Sequence, residues 1–168
     1  MKFDLSLVPI GASRHQGHHF QVHLVGNLDE GQLARCSGEA LELQSLFTRV
    51  VEAYSKGSLE GVRDIVARPL HDRLLGEVAE RDRLDHVLSS RLVEFVSAEI
   101  VHSEDRLLGG WKDVRFVSRM VVALLGANGT VLAGNPVQVR MLSEVWTLKR
   151  SSAAGESRWL ITAMAEDE

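Results

Sequence analysis

The spacing of apolar residues changes period twice along this chain. Near the start, Phe3, Leu5 and Leu7 alternate with Asp4, Ser6 and Val8. Phe20, Val22 and Leu24 alternate with Gln21, His23 and Val25 in the same way. Alternation with period two predicts strands, and the polar stretch from Gly11 to Gly17 between them predicts a turn. A β-hairpin-like extension over residues 1–32 is the simplest arrangement. From about Leu33 the period becomes helical. Leu43, Phe47, Val50, Val51 and Tyr54 recur on one face, and Gly57 is suited to end that helix because glycine tolerates the left-handed conformation. Ser58 can cap a short second helix carrying Leu59, Val62, Ile65 and Val66. Pro69 suits the first turn of a third, with Leu70, Leu74 and Val78 continuing to Val87 and Leu88.

Beyond Ser90 the period returns to two. Leu92 to His102 and Asp113 to Leu125 read as strands, the second with Val114, Phe116, Met120, Val122 and Leu124 on one face and Arg115, Val117, Arg119 and Val121 on the other. Asn128-Gly129 signals a two-residue hairpin with positive φ at both positions. Gly134-Asn135-Pro136 signals a bulge or kink. A long strand from Val137 to Arg150 and a last one from Arg158 to Ala163 complete the pattern. Helices followed by consecutive antiparallel strands predict an α+β fold, with N-terminal helices packed on a curved antiparallel sheet that forms a cone. The domain itself is expected over residues 33–168.

Composition narrows the function classes. With 45% hydrophobic and 25% charged residues the chain can bury a core without staples. Its net charge of -4 argues against general nucleic-acid binding, which needs a dense cationic field. The lone Cys36 allows neither an internal disulfide nor a cysteine-rich zinc site. The charges of the third helix, from Asp72 to Asp85, read as a solvated face laced with local ion pairs. Asp4 interrupts any secretory apolar run. The uncharged stretch from Met120 to Val139 is broken by glycines, asparagines and a proline into strands and turns rather than a membrane span. A cytoplasmic protein is expected, without cofactor.

Candidate chemistry is sparse. His15, His18, His19 and His23 crowd the N-terminal extension. Imidazoles bind transition metals, but His19 and His23 on one strand lie about 13 Å apart by the strand rise, so one metal would need a further ligand. A solvated polar face is the simpler account. Asp64, His71, His86 and His102 are the acid–base candidates for a cavity, and none sits in a recognisable catalytic motif. Trp146 and Trp159 fit either a ligand wall or sheet packing with satisfied indole N–H groups. Trp111 fits a loop anchor or a dimer contact.

The closing segments carry a family likeness. Glu144-Val145-Trp146-Thr147-Leu148-Lys149-Arg150, then Trp159-Leu160-Ile161-Thr162-Ala163, resembles the end of the Tim44-like domain. Leu46-Phe47 to Tyr54 with Gly57, Asp113-Val114-Arg115-Phe116, and Gly129 to Gly134 resemble its first helix and central hairpin. The likeness spans roughly residues 40–166. It implies a cystatin-like fold shared with nuclear transport factor 2. It also implies a non-enzymatic module at the inner face of an energy-transducing membrane, holding a lipid or a protein partner in translocation or complex assembly. Under that likeness Phe47, Tyr54, Trp146 and Trp159 would form an apolar lining, and Arg115 and Arg119 would meet anionic headgroups or an acidic partner, or form a solvated stripe. The N-terminal hairpin, and the lack of the membrane segment and charged linker usual in bacterial members, depart from the pattern. Two alternatives stay open: a small isomerase or dehydratase with a buried carboxylate or histidine in the cone, and a structural homodimer paired through the outer sheet face.

Overall fold

The computed structural model describes residues 30–106, 109–151 and 158–167. The expected N-terminal hairpin and its four histidines lie outside them. Helices α1 (Glu30–Lys56) and α2 (Arg68–Arg83) flank a 3-10 turn at Glu60–Val62. Strands β1 (Val87–Arg106), β2 (Gly109–Leu125), β3 (Val131–Ser151) and β4 (Arg158–Glu166) follow, and pair antiparallel in that order. The architecture is α+β, with two helices packed on a curved four-stranded sheet.

Helix α1 ends as its sequence predicts. Gly57 has φ +71° and Ser58 N–H reaches back to the Ala53 carbonyl at 3.0 Å, which is a Schellman closure. Helix α2 closes the same way but five residues earlier than the pattern suggested. His86 N–H bonds to the Arg81 carbonyl at 2.9 Å, and Asp85 takes the left-handed position with φ +53°. Val87 and Leu88 therefore open β1, opposite Leu125 and Leu124, and do not extend the helix. Two adjacent apolar residues fit either period, and the turn chemistry of Asp85 decides between them. The expected second helix shrinks to one 3-10 turn. The segment after it is drawn out to the sheet: Ile161 N–H bonds to the Ile65 carbonyl and Ala67 N–H to the Ile161 carbonyl, both at 2.9 Å. Val66 thus forms a parallel bridge with Ile161 on the free edge of β4.

The β2–β3 turn corrects the two-residue expectation. Gly126 N–H bonds to the Thr130 carbonyl, leaving a three-residue loop in which Gly129 has φ +77° and Asn128 does not have positive φ. Asn128 instead accepts bonds from the backbone N–H and the hydroxyl of Thr130. The predicted bulge is present and large. Met120 lies opposite Arg140, but Val122 lies opposite Asn135, so residues 136–139 swing out across from Val121 alone. Gly134 is required there: a Cβ on it would sit 2.3 Å from the Val122 carbonyl oxygen. Further register shifts along β1 bend the sheet around the helices.

The core lies between α1 and the inner sheet face. Phe47 is fully buried, with ring centroids 5.0 Å from Phe116, 5.0 Å from Trp146 and 5.6 Å from Phe95. Val114, Phe116 and Met120 of β2 keep the expected inward parity, and Trp146 and Leu148 of β3 are buried beside them. Thermal unfolding should separate the two helix closures. Gly57→Ala is expected to destabilise the protein by about 1 kcal/mol, because alanine is strained at positive φ. Asp85→Gly should stabilise it by about 0.5–1 kcal/mol at the equivalent position, and a melting temperature lowered by Asp85→Gly would contradict this account.

Candidate functional site

The aromatic residues proposed from the sequence divide into three environments. Phe47 and Trp146 meet inside the core, with no opening between them and Phe116. The Trp146 indole N–H is buried without a partner among the described residues, contrary to the expectation that packing would satisfy it. Tyr54 lies at the other end of α1. Its hydroxyl donates to Glu77 at 2.9 Å, and the Arg81 guanidinium sits 5.2 Å from its ring centre. Burial, then the bond to Glu77, raises the tyrosine pKa well above its ordinary value.

Trp159 is different, because it is half-buried and lines an open groove of about 330 Å³. One wall is the N-terminal half of α1, with Glu39, Glu42, Leu43 and Leu46. The other is Asp64 and Ile65, held in place by the bridge to β4. The floor is Leu148 and Trp159, with Lys112 and Arg158 at the sheet end. Lys112 occupies an inward position of β2, two residues before Val114. Its ammonium donates to Glu39 at 2.6 Å and stands 4.3 Å from the Trp159 ring centre. The Arg150 guanidinium lies 4.8 Å from the same ring. Each such contact stabilises by roughly 0.5–2 kcal/mol and fixes the orientation of the indole. The result is an apolar floor between a mostly acidic helical wall and a basic sheet end. Asp64 is held by Arg49, which also donates to the Gly61 carbonyl.

The remaining candidates lie elsewhere. Arg115 and Arg119 share the outer sheet face, and both are paired: Arg115 with Asp167 at 2.6 Å and Glu99 at 3.2 Å, Arg119 with Glu94 at 3.1 Å. The Arg115 bond, with a second from Ser143, holds the Asp167 carboxyl below its ordinary range. His71 is buried, with Nε2 3.2 Å from the Leu59 carbonyl oxygen, and borders a second, smaller depression with Arg63 and Arg68. His102 is exposed, 3.8 Å from Asp113. His86 sits in the α2–β1 turn. Trp111 donates to Glu104 at the β1–β2 end. Among the described residues no cluster of three metal-ligating side chains occurs.

Two polar residues were not singled out from the sequence as buried, although a signal was present. Lys112 and Glu144 both fall on the apolar parity of their strands. Glu144, only 6% exposed, points inward beside Phe116, and its Oε2 has no partner among the described residues. Glu166 lies directly opposite on β4. Burial, then the charge of Glu166, pushes the Glu144 carboxyl up to about 7. Because the folded value exceeds the unfolded one, the group opposes folding increasingly as pH rises from about 4.5 to 7. Neither groove is lined by Glu144. Urea unfolding should show Glu144→Gln to be more stable than the parent by about 2–4 kcal/mol at pH 8, with the two curves converging near pH 4.5. An unchanged difference across that range would show that Glu144 is not desolvated.

Comparison with known proteins bears on the family and the fold. Comparison with curated proteins found no match. Among solved structures, the intermembrane space region of the chloroplast protein ARC6 superposes with a TM-score of 0.51 at 12% identity, covering 76% of this chain and 97% of that one. At that identity the likeness concerns the fold. A SEC-C motif containing protein from Rhodopseudomonas palustris aligns over 73% of this chain and 77% of its own at 14% identity, with a TM-score of 0.37, too low to add to the fold comparison. The Tim44-like domain model matches residues 40–166, most of the chain and both walls of the groove except Glu39, and the chain belongs to that family.

Proposed function

We propose that this Tim44-like domain is a non-enzymatic docking module that works beside a membrane and receives a segment of a protein partner in the Trp159 groove. The single observation that carries this reading is the placement of Trp159. It is the large aromatic side chain of the groove, half-buried in the apolar floor beside Leu148 and fixed by Lys112 and Arg150, with charged residues of both signs around it. Buried apolar anchors ringed by polar groups are the usual energetic centres of protein interfaces. The filled aromatic core beneath α1 favours a protein segment over a deeply inserted acyl chain, since Phe47 and Trp146 are packed against each other. They serve as the rigid platform under the groove. The fold likeness to the intermembrane region of ARC6 supports a setting close to membranes. Among the described residues no helix is long and apolar enough to cross one, so contact with a membrane through these residues would be peripheral. The inner face of an energy-transducing membrane, with a role in protein translocation or complex assembly, is the setting we assign.

Site-specific photo-crosslinking in cells tests the groove. A benzophenone side chain at Leu46 or Arg158 should give a discrete crosslinked protein, and one at Glu94 on the outer face should not. Trp159→Ala should remove the groove crosslinks and lower the affinity of the captured partner by about 30-fold, the effect of losing an anchor worth about 2 kcal/mol. Equal crosslinking at all three positions, or none at Leu46 and Arg158, would reject the groove as the docking site.

A further inference from the structure

The far end of the sheet has a different character from the groove. Residues 120–139 hold no charged side chain. They form the end of β2, the three-residue turn and the start of β3, including the bulge. Strand β4 pairs only with Glu144–Ser151, and Asp167 beyond it bonds to Ser143, so β3 from Val131 to Leu142 has no strand neighbour on that side among the described residues. Aliphatic side chains are left in solvent here: Val131 at 45%, Leu132 at 48%, Val137 at 83% and Met141 at 68% exposure. Asn135 supports the bulge from within, since its Oδ1 accepts the N–H groups of Val137 and Gln138. The exposure of Val137 is therefore built into the backbone.

Two features say what these residues meet. The first is their arrangement around the hairpin. Val131 and Leu132 are consecutive in a strand and point to opposite faces, yet both are half exposed. Met141 faces outward opposite Arg119. A flat protein partner would cover one face, whereas a medium that surrounds the tip covers both. The second is charge. Arg140 and Arg91 flank the uncharged stretch, and neither has a carboxylate partner among the described residues. Glu94, the acid nearest in register to Arg91 on β1, is already paired with Arg119. Asp85, on the α2–β1 turn, precedes the tip side of β1. Exposed aliphatics bordered by cations that have no carboxylate partner among the described residues match the boundary between anionic headgroups and acyl chains.

From this we infer that the β2–β3 hairpin and its bulge insert into the interfacial layer of an anionic phospholipid bilayer, with Arg140 and Arg91 on the headgroups. The inference rests on the membrane setting assigned above but not on the groove, which lies at the opposite end of β2. Side chains such as Val137 and Leu132 would enter the layer without a change in the fold, because they are already out of the core.

Vesicle co-sedimentation of the full chain tests it, with phosphatidylcholine alone and with phosphatidylcholine containing 30% phosphatidylglycerol as probes (a composition of roughly biological anionic charge). The chain should bind the anionic vesicles and only weakly the neutral ones. Leu132→Asp with Val137→Asp should lower binding at least tenfold while leaving the circular dichroism melting curve intact. Arg140→Ser should lower it about fivefold and flatten its salt dependence, as expected for about 1 kcal/mol per surface cation. Trp159→Ala should leave it unchanged. Parent protein that binds neither vesicle overturns both the inference and the membrane setting. Equal binding by parent and the double aspartate variant overturns the hairpin inference alone. Loss of a dimer by light scattering in the aspartate variant, without vesicle binding by the parent, would assign the patch to a second copy and overturn it as well.

Discussion

The contact of Phe47 with three strands at once is the constraint from which the other features of this domain follow. One side chain from α1 touches Phe95 on β1, Phe116 on β2 and Trp146 on β3. A flat sheet could not bring three strands around one ring in this way. The register shifts along β1 let the sheet bend enough to do so. Aromatic packing at these distances adds to the burial of large apolar areas, and it leaves the wide part of the cone full of side chains rather than open.

Because the centre is filled, the accessible concavity is displaced to the end of the sheet near the start of the described helix. There the inward pattern of β2 passes from Val114 to Lys112, and the helix side chain that meets it is Glu39 rather than a leucine. A buried ammonium paired with a carboxylate and an indole is a poorer filler than a phenylalanine, and the space around it remains open. Removing one member of such a pair would leave a charge out of water without compensation. The same substitution of polar for apolar therefore creates the groove and specifies the geometry of its walls.

The alternation of β2 and β3 and the helical face of α1 were legible in the sequence because each is a long, clean period. The family likeness came from the same strands. The boundary at Asp85 was not legible, since it depends on a non-glycine residue accepting positive φ, which no periodicity reports. The second helix was overcalled because the pull of Ile161 on residues 65–67 is a tertiary bond between segments far apart in the chain. Of the candidate site, Trp159 was readable as an aromatic that could face a ligand. Phe47, Tyr54 and Trp146 looked equivalent to it, because composition cannot tell a ring that lines a space from one that fills it. Arg115 and Arg119 were correctly placed on one face, but their partners on β1 and at Asp167 could be assigned only once the register was known.

The bridge between Val66 and Ile161 has a consequence for biosynthesis. The linker between the helices is stitched into the sheet only through a strand made some 95 positions later. At ribosomal speeds of roughly 5–20 residues per second, the helical pair emerges several seconds before the edge that fastens it. During that interval the apolar stripe of α1 lacks its cover from the last strand, so a chaperone that shields it would act before that strand leaves the exit tunnel.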